Sequence, residues 1–318
     1  MNPHTPEFSI IVPVYNCEQT ITACLKSLQE QDHSAYEIII VDDGSTDTTA
    51  EICAAEQDIQ LVQVSNGGPS RARNIGITQA KGRFAAFTDG DCIVEKTWLT
   101  ELRKGFSRND VAGVGGNQIS PPDDSPLARH IQETFTILGF ATSYMKTVSS
   151  MSEISHNPSC NSAYRLSILR DLGGFDESLW PGEDVDLDQR LTRTGHVLIR
   201  NPAAVVQHHR PQSLTALKNM MQRYGSSACL LFKRYGFFRP LQYLPLVSAL
   251  LLLCGLTGLI VNPPVTILLS SIACLAVLAF LFLPGHGFSR KTAVLFLLAV
   301  FIVVHWHIGF IKAFTGRA

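Results

Sequence analysis

The chain has 318 residues, 17 % of them charged, and a formal net charge of -1 at pH 7. It is long enough for one large or two modest domains, and a balance so near zero gives no sign of a nucleic-acid partner. Eight cysteines, at positions 17, 24, 53, 92, 160, 229, 254 and 274, lack Cys-x-x-Cys spacing, which argues against both a disulfide framework and zinc.

The charge is unevenly spread. Residues 1–188 hold 27 acids against 13 Lys or Arg, whereas residues 189–318 hold 13 basic residues and no acid. An acidic front and a basic back indicate two parts in different surroundings. The N-terminal Met1-Asn-Pro-His-Thr-Pro is polar and lacks an apolar core, so no signal peptide is expected.

In chain order, Phe8–Val14 reads as a strand buried on both faces. Residues 20–31 have helical spacing, with Ile21, Leu25 and Leu28 on one face. A second strand is expected at 36–41. Thr48-Thr-Ala-Glu51 resembles a capping box opening the next helix. Then come a strand at 59–64, a helix at 70–80 and a strand at 83–88. Alternation of this kind implies βαβ units and a mostly parallel sheet. Right-handed crossovers place every loop that follows a strand on one edge. Tyr15 and Asn16, Asp42 and Asp43, residues 65–69, and Asp89 with Asp91 should therefore share one cleft.

The apolar run Phe84-Ala-Ala-Phe87 ends in Thr88-Asp89-Gly90-Asp91. Two carboxylates at a strand end suit a hard cation, Mg²⁺ or Mn²⁺, with substrate phosphates completing its shell. The other reading is an ordinary turn. The turns at 42–47 and 66–74 lack the P-loop pattern, and no Gly-x-Gly-x-x-Gly follows the first strand, so ATPase and dehydrogenase readings fall. Further along, Glu183-Asp184-Val-Asp186 is either a catalytic acidic group or a helix start favoured by the macrodipole. His208-His209, after an apolar strand at 203–206, is a metal or diphosphate ligand or polar surface. Trp180 is an acceptor-stacking platform or core.

Five segments in order resemble the family-2 inverting glycosyltransferases of the GT-A fold. They are Ile11-Val-Pro-Val-Tyr-Asn16, Val41-Asp-Asp-Gly-Ser-Thr-Asp47, Gly68-Pro-Ser-Arg-Ala-Arg-Asn-Ile-Gly76, Phe87-Thr-Asp-Gly-Asp91, and Leu172-Gly-Gly-Phe-Asp-Glu177 with Gly182-Glu-Asp-Val-Asp-Leu187. The resemblance runs from Phe8 to about Tyr235 and implies the following roles. Pro13, Tyr15 and Asp43 hold the nucleotide base. Arg71, Arg73 and Asn74 line the nucleotide. Asp91 binds the metal and Asp89 stands nearer the ribose and sugar, a second candidate ligand. Asp184, in Glu183-Asp184, is the catalytic base; Glu183 and Trp180 are further candidate substrate contacts, read from the residues and not from the resemblance. Asn161 belongs to the donor-sugar wall, where Ser159 replaces a glycine the family often has.

The back half reads as membrane. Positions 240–289 contain no charged residue, and runs at 244–261, 265–283 and 292–311 are each about the ~20 residues that cross a bilayer. The basic stretch before them sets the cytoplasmic side. Residues 213–239 read as basic amphipathic interface helices on anionic lipid. The division is thus a catalytic domain at 1–212, interface helices at 213–239 and a transmembrane region at 240–318. The chain is expected in the inner membrane, multi-pass, its catalytic domain facing the cytoplasm. The expected reaction moves a sugar from a nucleotide sugar, UDP-sugar first, to a lipid-linked or cell-envelope glycan. Rival readings are a polyprenyl-phosphate monosaccharide transferase and a catalytically silent membrane scaffold.

Overall fold

The computed structural model describes residues 5–138, 149–268 and 289–317. The chain divides into two compact units, one from residues 1–123 and 143–209, the other from 124–142 and 210–318.

The first unit is built on a sheet of nine strands among the described residues, with α-helices on both faces. Its elements are β1 (Phe8–Val14), α1 (Ile21–Gln29), β2 (Tyr36–Asp42), α2 (Thr49–Ala55), β3 (Ile59–Gln63), α3 (Pro69–Gln79), β4 (Phe84–Phe87), β5 (Cys92–Val94), α4 (Trp98–Gly105) and β6 (Val111–Ile119), then β7 (Ser152–Ile154), β8 (Ser162–Arg165), α6 (Leu166–Asp171), α7 (Glu183–Arg193) and β9 (Val197–His208). The strand order is β3-β2-β1-β4-β8-β6-β9-β5, with β7 also on β9. The first four of these strands are parallel, as their βαβ sequence pattern requires. Beyond β4 the sheet is mixed: β8 is antiparallel to β4 and β6, and β5 and β7 are antiparallel to β9. The parallel expectation covers the front half, β1 to β4, where each strand is followed by one crossover helix and the next strand returns parallel.

The two-residue period of β1 sorts its side chains into two cores. Phe8, Ile10, Val12 and Val14 pack with Leu25 and Leu28 of α1 and Trp98 and Leu102 of α4. Ile11 faces the other way, with Ala72 and Ile77 of α3 and Leu187 and Leu191 of α7. Pro13 is buried within β1, opposite Val41, so it belongs to the sheet and not to a nucleotide-holding turn. The expected capping box at Thr48 is absent. Thr48 Oγ1 donates to Glu18 instead, and Asp47 Oδ1 accepts from the Thr49 N–H and hydroxyl.

The second unit contains α5 (Pro126–Ile137), α8 (Leu214–Tyr235), α9 (Leu244–Val261) and α10 (Arg290–Phe314). Residues 213–239 thus hold one long helix rather than several. α8 and α10 meet at two glycines. A methyl group on Gly225 would lie 1.9 Å from the Trp306 carbonyl oxygen, and one on Gly309 1.9 Å from that of Gln222. Small residues let the two backbones touch. α9 has no buried residue, and both α9 and α10 are long and apolar enough to cross a bilayer. Most of the expected second span, 265–283, lies outside the described residues.

Candidate functional site

The parallel strands β1, β2 and β4 all end on one edge, at Val14, Asp42 and Phe87. In such sheets that edge carries the ligand crevice. Tyr15, Asn16, Asp47 and Asp91 line a depression there, and Tyr15 is 48 % exposed. Asn16 adopts a left-handed φ of 51°, and its side chain accepts from the Thr46 N–H at 2.8 Å, which locks the β1 turn to the β2 turn. Asp43 is buried, and its two oxygens accept from the Gly67 and Gly68 N–H groups at 2.8 and 2.7 Å. It therefore shapes the loop before α3. Gly68, at φ 91°, turns that loop into the helix, and Pro69 opens it. Arg71 folds back over the same loop and donates to the Ser65 carbonyl at 2.7 Å.

The acidic groups gather next to this loop. Asp89 and Asp91 flank Gly90 just past β4. Glu183 and Asp184 open α7 after Gly182, whose φ is 109°. Arg73, on the first turns of α3, joins the two segments. Its guanidinium donates to Asp89 Oδ1 at 2.8 Å and to Glu183 Oε1 at 2.7 Å. Arg73 and Glu183 are both buried, so this pair is an internal brace and neither side chain faces a nucleotide. Burial pushes the Glu183 carboxyl above the usual range, Asp184 adds to that, and Arg73 pulls it back. Glu183 Oε2 has no hydrogen-bond partner among the described residues, which fits that upward push.

Asp91 keeps 46 % of its side chain exposed and faces His208 Nε2 at 3.6 Å. Burial opposes charge on both groups, but their mutual attraction outweighs it. Asp91 is held below the usual carboxylate range and His208 above the usual imidazole range. The Asp91 carboxylate is a ligand type for Mg²⁺ or Mn²⁺, and an imidazole beside it favours Mn²⁺, the softer of the two. His208 is the last residue of β9, which is longer than the sequence indicates, and His209 follows it outside the strand.

Asp184 retains 18 % side-chain exposure. Its Oδ2 accepts from the Ser159 N–H at 3.3 Å, its Oδ1 from the Val185 N–H at 2.8 Å. Behind it lies a buried group that the sequence reading missed. His156 Nε2 is 3.8 Å from Asp184 Oδ2, and His156 Nδ1 is 2.9 Å from Asp188 Oδ2. Asp188 also accepts from the Asn157 N–H at 2.7 Å and the Tyr164 hydroxyl at 2.9 Å. Asp188 lies one helical turn past Asp184, the only signal of it in the sequence. His156 carried none.

Two expected substrate contacts are structural. The Asn74 amide donates to the Phe175 carbonyl at 2.9 Å and its oxygen accepts from the Phe175 N–H at 2.8 Å, so it clamps the loop before α7 onto α3. Asn161 is fully buried. It accepts from Trp98 Nε1 at 2.8 Å and donates to the Asn117 and Ala204 carbonyls at 2.9 and 3.0 Å. Both residues spend their hydrogen bonds on backbone or core. Trp180 is 57 % exposed, which excludes core packing. Ser70 holds its loop by donating to the Leu179 carbonyl at 2.9 Å.

The family model described as glycosyl transferase family 2 matches residues 9–173. Glycosyltransferase AglE of Haloferax volcanii is 32 % identical over 205 residues, 62 % of this chain and 65 % of that protein. The pre-mycofactocin glycosyltransferase of Mycobacterium tuberculosis is 32 % identical over 241 residues, 73 % of this chain and 49 % of that protein. The chain thus spans between about half and two thirds of the length of these curated relatives. Among solved structures, the mannosyltransferase PcManGT from Pyrobaculum calidifontis, in complex with GDP-Man and Mn²⁺, aligns with a TM-score of 0.68 at 19 % identity, over 99 % of this chain and 89 % of that one. Residues 1–349 of S. aureus TarS in complex with UDP align with a TM-score of 0.50 at 19 % identity, over 98 % of this chain and 92 % of that one. At that identity the likeness is one of fold, the GT-A arrangement.

Proposed function

The chain belongs to glycosyl transferase family 2, and from that premise we propose that it is a membrane-anchored inverting glycosyltransferase. It takes one sugar from a nucleoside-diphosphate sugar and transfers it to a hydroxyl of a lipid-linked or cell-envelope glycan. The observation that carries this reading is the Arg73 brace, which draws the Asp89–Asp91 turn and the Glu183–Asp184 helix start to one edge of the sheet.

Asp91 and His208 would hold the divalent cation in this reading; the carboxylate suits Mg²⁺ or Mn²⁺ and the imidazole tilts the pair toward Mn²⁺. Bound there, the cation supplies positive charge to the departing diphosphate. Tyr15 and the loop braced by Asp43 receive the nucleotide. Asp184 takes the proton of the acceptor hydroxyl, a poor nucleophile near neutral pH, while that oxygen attacks the anomeric carbon from the side opposite the diphosphate. The sugar inverts in one step. Trp180, exposed beside the start of α7, offers a stacking face to the acceptor. UDP and GDP sugars are the donors to test first, since solved proteins of this fold hold UDP and GDP-Man.

Residues 1–212 form the catalytic domain in this reading and 240–318 the membrane region. α9 and α10 support anchoring, and the basic, acid-free stretch before α9 supports a cytoplasmic catalytic face. The test is turnover of UDP and GDP sugars by the full chain in detergent or vesicles with a polyprenyl-linked glycan acceptor. Transfer that needs a divalent cation, and that Asp91→Ala and Asp184→Asn each abolish with folding preserved, supports the reading. Unchanged turnover in both variants overturns the site.

A further inference from the structure

Behind His208 lies a group of thiols that glycosyl transfer does not use. β5 runs antiparallel to β9 with Cys92 directly opposite His208, so the two side chains share one face. Cys160, in the 3-10 turn Ser159–Asn161 that precedes β8, reaches the same place. Its sulfur is 3.8 Å from His208 Nδ1. The two sulfurs and the ring nitrogen all lie within 4.8 Å of one another. Cys92 Sγ in turn contacts Asp91 Oδ1 at 3.6 Å, and Asp91 Oδ2 faces His208 Nε2 at 3.6 Å. The result is a closed ring of one carboxylate, two thiols and one imidazole.

We propose that Cys92, Cys160 and His208 form a site for one soft divalent cation, zinc, with a water, or Asp91 after a turn of its side chain, as fourth ligand. Around a tetrahedral zinc, sulfur and nitrogen ligands stand about 3.5–3.8 Å apart. The 3.8 Å between Cys160 and His208 therefore needs little adjustment. Two thiolates and an imidazole prefer zinc or cadmium to Mg²⁺ or Mn²⁺, which favour oxygen. Binding releases to solvent the protons carried by the two sulfurs and by the ligating ring nitrogen. Entry is past Asp91 and His208, whose side chains are 46 % and 23 % exposed, because Cys92 and Cys160 are buried.

The two sites share the His208 ring: zinc on Nδ1 leaves the ring proton on Nε2, the nitrogen that faces Asp91, so Nε2 has no lone pair for the proposed catalytic cation. This inhibition rests on the reading given under Proposed function; the binding does not. Sequence spacing hid the group because its three members lie in a strand, a turn and a second strand that only the sheet brings together.

The test uses the full chain, stripped of metal in detergent and titrated with Cd²⁺ alone. The readout is the ultraviolet thiolate-to-cadmium charge-transfer band. The native chain and a Cys53→Ser control should saturate at one cadmium. Cys92→Ser/Cys160→Ser should bind it more than about 100-fold more weakly. Circular dichroism of the metal-free variant checks its fold, and Zn²⁺ should raise the melting temperature of the native chain but not of the double variant. No band in the native chain, or an undiminished one in the double variant, overturns the site even if the chain transfers no sugar. Zn²⁺ should also inhibit Mn²⁺-supported turnover, and in Cys160→Ala that inhibition, relative to the variant's own zinc-free rate, should disappear. Zinc-insensitive turnover in the native chain overturns the sharing of His208.

Discussion

Arg73 and Glu183, 110 positions apart, form a buried ion pair at 2.7 Å, and the same guanidinium holds Asp89 at 2.8 Å. Through these contacts the start of α7 is held against the turn after β4. Removing one partner leaves a charge in the interior without compensation. Arg73→Ala should therefore destabilise the fold by about 3–5 kcal/mol. Chemical denaturation of the full chain in detergent checks this, and a loss below about 1 kcal/mol would show that the brace is dispensable.

Asp184 is the partly exposed carboxylate beside that brace. In the proposed reaction, Asn in its place removes the base for the acceptor hydroxyl while the shape of the site is kept. Turnover should fall by about 100- to 10,000-fold, with nucleotide-sugar affinity little changed. Steady-state kinetics and donor titration on one preparation separate the two. A chelator should abolish turnover in the native chain, and Mn²⁺ or Mg²⁺ should restore it.

His156 stands between Asp184 and Asp188, 3.8 Å from the first and 2.9 Å from the second. Its side chain is 3 % exposed, so in the proposed reaction it orients the base from behind. His156→Gln should lower kcat by about 10- to 100-fold and leave the donor KM unchanged. A kcat loss matched by an equal loss of folded protein in circular dichroism would mean that His156 only supports the fold.

Asp188 is fully buried, and burial raises its carboxyl above the usual range although His156, Asn157 and Tyr164 all pull it down. The folded chain thus keeps a proton there at pH values where the unfolded chain has lost it. That contribution to stability is full below the ordinary value of 3.8 and is lost as pH rises through the raised folded value. Asp188→Asn should lack this decline. The difference in melting temperature between native chain and variant, followed from pH 3 upward, checks the sign.

The seam between α8 and α10 is tested at Gly225. Any side chain there meets the backbone of Trp306, which cannot yield as a flexible side chain would. Gly225→Val should cost about 1–3 kcal/mol. The same change at Gly255, which meets nothing within 4 Å, should cost little. Thermal unfolding in detergent compares the two.

Much of the proposed site was legible because its residues sit in local patterns. Strand ends followed by polar turns marked Tyr15 and Asp91, which lie on one edge of the sheet, and the short acidic run marked Asp184. What failed was the division between residues that face a ligand and residues that hold those in place. Asn74, Arg73, Glu183 and Asn161 belong to the same segments as the exposed groups, yet their side chains are spent on Phe175, on each other and on the core. Helix and strand period gives the face a residue occupies, not whether a neighbour from another segment already covers that face.

By itself the sequence determined the alternation of strands and helices in the front half, the edge on which the acidic turns collect, and the two long apolar helices of the described back half. These follow from short-range rules: backbone period, turn residues and the length of uncharged runs. Only the tertiary structure decided that the sheet turns antiparallel after β4, that Arg73 ties two acidic turns together, and that Cys92, Cys160 and His208 meet. Apart from Arg73 and Asp89, which are 16 positions apart, those contacts join residues about 50 to 115 positions apart, and their partners are chosen by strand order and shared burial, which no local pattern encodes.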